Sequence, residues 1–236
     1  PELIVTEEAD RGMEIAAKVM SAAADEGAND SPVHRALAQL TVKTAGDYAG
    51  LSADERNELS PVPMWLREIS EAVIVSYQGI PGDVASLVKA MGFHLASEML
   101  GDQEYTLLDM VIRHENRDTG FDAYLRNEAK PVKIGDHRYT PWSWILIHSQ
   151  YGGSGVEVEH FEYGLDALNL AARFSRESEA QMKSWAIEGF GEVVALQQRM
   201  FREIYKECLA TPPSIAVSRM PTPSISAASM NALLGV

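Results

Sequence analysis

Hydrophobic positions along this chain recur at helical spacing almost from end to end. Within residues 6–24, Met13, Ile15, Ala16, Val19 and Met20 repeat at that spacing, with Thr6 as N-cap. Ser31-Pro32 opens a second helix, with proline in the first turn, that runs through Leu37, Leu40 and Val42. Residues 50–63 read as a polar loop, and Pro63 introduces a third helix bearing Trp65, Leu66, Ile69, Val73 and Ile74. Pro81-Gly82-Asp83 starts a fourth, whose Val84, Leu87, Val88, Met91, Leu95 and Met99 share one broad face. Gly101-Asp102 is expected to break or kink it before a fifth helix through Leu107, Leu108, Val111 and Ile112.

The pattern loosens between Asn116 and Thr140, where a short helix over 121–126 is expected. Turn signals at Lys130-Pro131 and Gly135-Asp136 suit a small hairpin. Pro141 begins an aromatic helix, Trp142 to His148. Gly152-Gly153-Ser154-Gly155 ends it and leads into a long helix over 156–174. A last helix spans about 178–209, and the chain from 210 to 236 is rich in proline and serine without periodicity. The pattern predicts one all-α domain over 1–209, a helical bundle of about seven to nine helices, followed by an extended tail over 210–236.

Composition narrows the function classes. With 46% hydrophobic residues in 236, the chain can build a substantial core. A net charge of −14 argues against nucleic acid or an anionic membrane as partner, because both require a basic patch. One cysteine, Cys208, allows no intramolecular disulfide and suits a reducing, cytoplasmic setting. No apolar run approaches the roughly 18 residues that a membrane span needs, and no secretory leader pattern is visible.

Candidate chemistry lies in carboxylates and imidazoles carried by apolar helices. Glu157 and His160 stand three apart and His94 and Glu98 four apart, so each pair shares a helix face. Helical bundles present metal ligands inward with such spacing. Glu159 is an alternative to Glu157, and Glu104 follows the expected kink closely enough to turn toward the same cavity. Small residues Gly164, Ala167 and Ala171 beside His160 leave room for a neighbouring helix or a substrate. On the last helix Glu188 and Glu192 flank Gly189 and Gly191. Each glycine costs a helix about 1 kcal/mol relative to alanine, so something is expected to pack closely there. Carboxylates in apolar segments are costly unless paired or bound to metal. The blander reading of each remaining group is structural. The Trp142 and Trp144 pair reads as core and His148 as a core histidine. His114 reads as a helix C-terminal residue, and His34 and His137 as surface.

The stretch Ser97-Glu98-Met99-Leu100-Gly101-Asp102-Gln103-Glu104, followed further on by Glu157-Val158-Glu159-His160-Phe161, resembles the heme-oxygenase-like di-metal oxidases and oxygenases. Their fold relatives include thiaminase-II-like and pyrroloquinoline-quinone-synthase-like proteins. The resemblance covers residues 69–204 at the level of pattern. It implies a heme-oxygenase-like bundle and an oxygen-using di-iron centre, with manganese as the alternative metal and dioxygen as co-substrate. Glu98 matches the first-helix carboxylate, and Glu157 or Glu159 with His160 matches the second helix. The later histidine of the first helix is replaced by Glu104 or Tyr105. Glu188 and Glu192 stand where a His/Asp pair is expected, so the implied centre is rich in carboxylates and poor in histidine.

Three readings follow. The leading one is a non-heme di-metal oxygenase or oxidase of specialised metabolism acting on a small amine- or amino-acid-like molecule. In it Glu98, Glu157, His160 and Glu192 are the catalytic candidates, and His94, Glu104, Glu159 and Glu188 complete the ligand set. The second is a metal-free enzyme or small-ligand-binding protein on the same fold, in which Glu98, His160 and Glu192 act as acid/base or hydrogen-bonding groups. The third is a helical scaffold whose glutamates are exposed or paired with arginines such as Arg67, Arg113 or Arg199. A homodimer is compatible with all three.

Overall fold

The computed structural model describes residues 2–27, 34–134, 136–149 and 156–210. The fold is all-α, with nine α-helices and one two-stranded hairpin among the described residues. They are α1 (Glu2–Gly27), α2 (His34–Tyr48), α3 (Ala53–Leu59), α4 (Met64–Gln78), α5 (Val84–Asp109), α6 (Phe121–Asn127), α7 (Ser143–His148), α8 (Val156–Phe174) and α9 (Glu179–Ala210). Strands β1 (Val132–Ile134) and β2 (His137–Tyr139) pair antiparallel, with Lys133 opposite Arg138. No helix of the described residues is long and apolar enough to cross a membrane. The glycine-rich 152–155 stretch and the 211–236 tail lie outside the described residues.

The segment expected as a plain loop holds the short helix α3. Ser52 Oγ accepts from Glu55 N–H at 3.2 Å, and the Ser52 N–H donates back to Glu55 Oε2 at 2.8 Å. This reciprocal capping box holds the turn although no α3 residue is buried. A larger correction concerns α5. Gly101-Asp102 does not break it into two helices; the helix runs on for 26 residues from an Asp83 N-cap. Neighbours on several sides (α9, α8, α7 and α4) hold it, and that packing outweighs the roughly 1 kcal/mol propensity cost of one glycine. Past Asp109 the helix widens into a π turn, Met110–Glu115, closed by Asn116 N–H on the Val111 carbonyl at 3.1 Å.

α5 is the central element, and its crossing with α9 is set by two glycines. A Cβ at Gly92 would lie 2.1 Å from the Ala186 carbonyl oxygen, and one at Gly189 would lie 1.9 Å from that of Lys89. Only bare backbone fits there, so the two helices touch main chain to main chain. Around the crossing, Val88, Met182 and Ala186 form one buried cluster and Phe93, Ala96 and Val193 another. A third cluster, Phe121, Trp142 and Ile145, lies toward the C-terminal end of α5 and takes in Tyr105 and Leu108. The expectation that Trp142 and Trp144 serve as core holds.

Candidate functional site

α5 carries a stripe of acids on the face it turns inward. Glu98, Asp102 and Asp109 stand at i, i+4 and i+11, which places them along one side of a helix. Asp102 is buried and Asp109 is fully so, while Glu98 is 13% exposed. Charged groups at this depth need partners, and the partners differ at the two ends of the stripe.

At the N-terminal end, Glu98 stands between two imidazoles. His94 Nδ1, one turn earlier on α5, lies 3.3 Å from Glu98 Oε1. His160 Nδ1, on α8, lies 3.4 Å from Glu98 Oε2. His160 is only 1% exposed. The close approach of α8 depends on Gly164: a Cβ there would lie 3.1 Å from Leu95 and 3.2 Å from the His94 ring. The small residues beside His160 therefore make room for a neighbouring helix. Burial lowers the His94 pKa from its ordinary value; Glu98 pulls the other way, and the nearby His160 adds to the lowering. His94 is accordingly a neutral imidazole at neutral pH.

At the other end, Asp109 is held by Arg113 and Trp142. Arg113 Nη2 donates to Oδ2 at 2.8 Å and Trp142 Nε1 to Oδ1 at 2.7 Å. His114 Nε2 lies 3.5 Å from Oδ2, so the histidine expected to face a helix dipole faces this carboxylate. Burial alone would raise the Asp109 carboxyl. The hydrogen bonds from Arg113 and Trp142 and the charges of Arg113 and His114 hold it below its ordinary value. The second acid of this end, Asp122, pairs with Arg126 at 2.8 Å. His148 is buried nearby, its Nδ1 2.6 Å from the Trp144 carbonyl and its ring packed on Tyr105.

Of the sequence-predicted residues, the structure brings together His94, Glu98 and His160. The others stand apart. Glu104 lies on another face of α5, where its Oε2 accepts from Gln197 Nε2 at 3.1 Å. Glu188 is exposed and pairs with Lys89 at 2.5 Å, and Glu192 is exposed too. The reason is helical phase. Met182, Ala186, Gly189 and Val193 are the buried positions of α9, and each glutamate sits one residue, about 100°, away from that line. Glu159 is exposed. Glu157 opens α8, and its side chain lies outside the described residues. Among the described residues, no group of three or more His, Cys, Asp or Glu is arranged to hold a metal ion. Of the scaffold reading's alternatives, exposure holds for Glu159, Glu188 and Glu192, while Arg113 serves Asp109 and Arg199 serves Glu68.

Asp102 and Asp109 were not singled out by sequence reasoning. Their signal was the spacing from Glu98, hidden by reading Gly101-Asp102 as a helix break. Tyr77 and Ser97, whose hydroxyls hydrogen-bond to each other beside His94, carried no such signal. Comparison with protein-family models, with curated proteins and with solved structures finds no match for this chain.

Proposed function

We propose that the chain is a metal-independent enzyme of the helical-bundle class that moves a proton on a small organic metabolite. Glu98 is the acid/base, and His94 and His160 are its positioning partners. The observation that carries this reading is the Glu98 carboxylate set between two imidazole Nδ1 atoms at 3.3 and 3.4 Å. A carboxylate partly withdrawn from water and held between two imidazole nitrogens has the make-up of a general acid/base. The partial exposure of Glu98 and His94 leaves a side open to substrate, while the buried His160 holds the carboxylate from within. A di-metal centre would need the α9 carboxylates to join this cluster, and they stand on solvent positions instead. Among the described residues the donor set is one carboxylate between two imidazoles, which is too few for the di-iron or di-manganese expectation, and no step is routed through a metal.

The test is solvent exchange. Purified protein in D2O is incubated with a panel of small carbonyl compounds and amino acids bearing an acidic C–H, with and without a chelator. The reading predicts deuterium uptake by at least one compound, surviving chelation and lost in Glu98→Gln. Absence of exchange across the panel, or exchange that appears only after iron loading, would overturn it.

A further inference from the structure

We propose that a pocket between α4, α5 and α9 binds a small ammonium ion with an apolar body, with Glu104 as counter-ion. This goes beyond the proton-transfer reading and does not depend on it. The pocket has a volume of about 190 Å³ and is walled by apolar side chains, among them Ile69, Val73, Phe93, Leu100, Val193 and Leu196. A closed cavity of about 150 Å³ takes up benzene, so this partly open pocket has room for an aromatic ring or a branched alkyl group with a short polar arm.

Four polar groups interrupt the apolar wall: Tyr77, Ser97, Glu104 and Gln197. Among the described residues, no lysine, arginine or histidine lines the pocket. Among the described residues Glu104 accepts an amide hydrogen bond from Gln197 and pairs with no cation, so its half-buried charge is uncompensated there. The hydroxyls add acceptors rather than donors. Ser97 Oγ donates its only proton to the His94 carbonyl at 2.7 Å, so the hydrogen bond between Tyr77 and Ser97 uses the Tyr77 proton. Gln197 Nε2 donates one proton to Glu104, leaving its carbonyl as an acceptor and its second N–H as a donor. The lining thus offers one negative charge, several acceptors and one amide N–H beside an apolar wall. A primary ammonium, with three donors and no acceptor, is the complement. A carboxylate would meet like charge, and a neutral alcohol could donate a hydrogen bond but would not balance the Glu104 charge.

The test uses the full chain and three probes of one shape: 2-phenylethylammonium, 2-phenylethanol and 3-phenylpropanoate, titrated calorimetrically at pH 7. The ammonium should bind at least about tenfold more tightly than the alcohol, as expected for a charge-assisted hydrogen bond, and the carboxylate should not bind. Glu104→Gln should lose about the same factor, and Leu196→Trp should abolish binding by filling the pocket. Glu162→Gln, an exposed acid on α8, should bind as the parent does. Circular dichroism confirms that each variant is folded. Equal affinity for ammonium and alcohol, full affinity in folded Glu104→Gln, or no binding at the highest soluble probe concentration would each overturn the proposal.

Discussion

Glu98 Oε2 on α5 lies 3.4 Å from His160 Nδ1 on α8. These residues are far apart in the chain and meet only because Gly164 lets the two helices close. The contact ties one local sequence choice, a glycine one turn after a histidine, to the geometry of the candidate site. Gly164→Leu should push α8 off α5 and cost about 1–3 kcal/mol, as overpacking does. A fall in the thermal midpoint together with loss of the Glu98–His160 contact in a crystal structure would check it. An unchanged midpoint would show that α8 is not seated as described.

The two glycines of α9 should behave oppositely. At Gly189 a methyl group would collide with the Lys89 carbonyl at 1.9 Å, whereas at Gly191 nothing lies within 4 Å. Gly189→Ala should therefore destabilise the protein by about 3 kcal/mol or more, the upper range for a core that cannot relax. Gly191→Ala should stabilise it by about 0.5–1 kcal/mol through helix propensity. Chemical denaturation of both variants side by side reads the difference, and equal effects would refute the backbone-to-backbone crossing.

Arg113 holds a carboxylate with no exposure to water. Removing the arginine strands that charge, and breaking a buried pair costs about 3–5 kcal/mol, so Arg113→Ala should lose much of the domain's stability. Double substitution with Asp109→Asn should recover part of the loss. The same network sets an acid limit. The folded Asp109 carboxyl lies below its ordinary value, so its contribution is complete above the unfolded pKa, about 4, and disappears as pH falls through the folded value. Denaturation followed below pH 5 should show this decline, and Asp109→Asn should flatten it.

His94 adds a pH dependence at a milder point. Burial lowers its pKa in the folded chain, so the unfolded chain binds the proton more readily. Its contribution is therefore complete above about pH 6.5 and is lost as pH drops from there through the folded value. Comparing denaturation midpoints of the parent and His94→Gln between pH 7.5 and 5 should give a steeper decline in the parent. Identical slopes would contradict a buried neutral imidazole.

Much of the architecture was legible in the hydrophobic period. Apart from α3 and the unbroken length of α5, the helices and the aromatic core at Trp142 follow from it, and so does the pairing of His94 with Glu98 on one face; the hairpin follows from its turn residues. What was not legible turned on helical phase between elements. The glycines at 189 and 191 signalled a close contact, and Gly189 makes it, but the contact is with α5 backbone rather than with anything Glu188 and Glu192 hold. A carboxylate next to a buried glycine is about 100° off the buried line, and only the packing partner reveals which residue defines that line. Asp102 was hidden for the converse reason. Glycine-aspartate reads as a helix stop when judged alone, yet α5 is packed on enough sides to run through it.

The central claim is that Glu98, His94 and His160 form one electrostatic unit. Its most direct test follows the histidine ring nitrogens by NMR through a pH titration, in the parent and in Glu98→Gln. His94 should titrate below the ordinary histidine value in the parent. It should move lower still in the variant, because the carboxylate that favours its protonated form is gone. The His160 ring signals should shift with the same substitution. A His94 that titrates at or above the ordinary value, with neither ring disturbed by Glu98→Gln, would contradict the account.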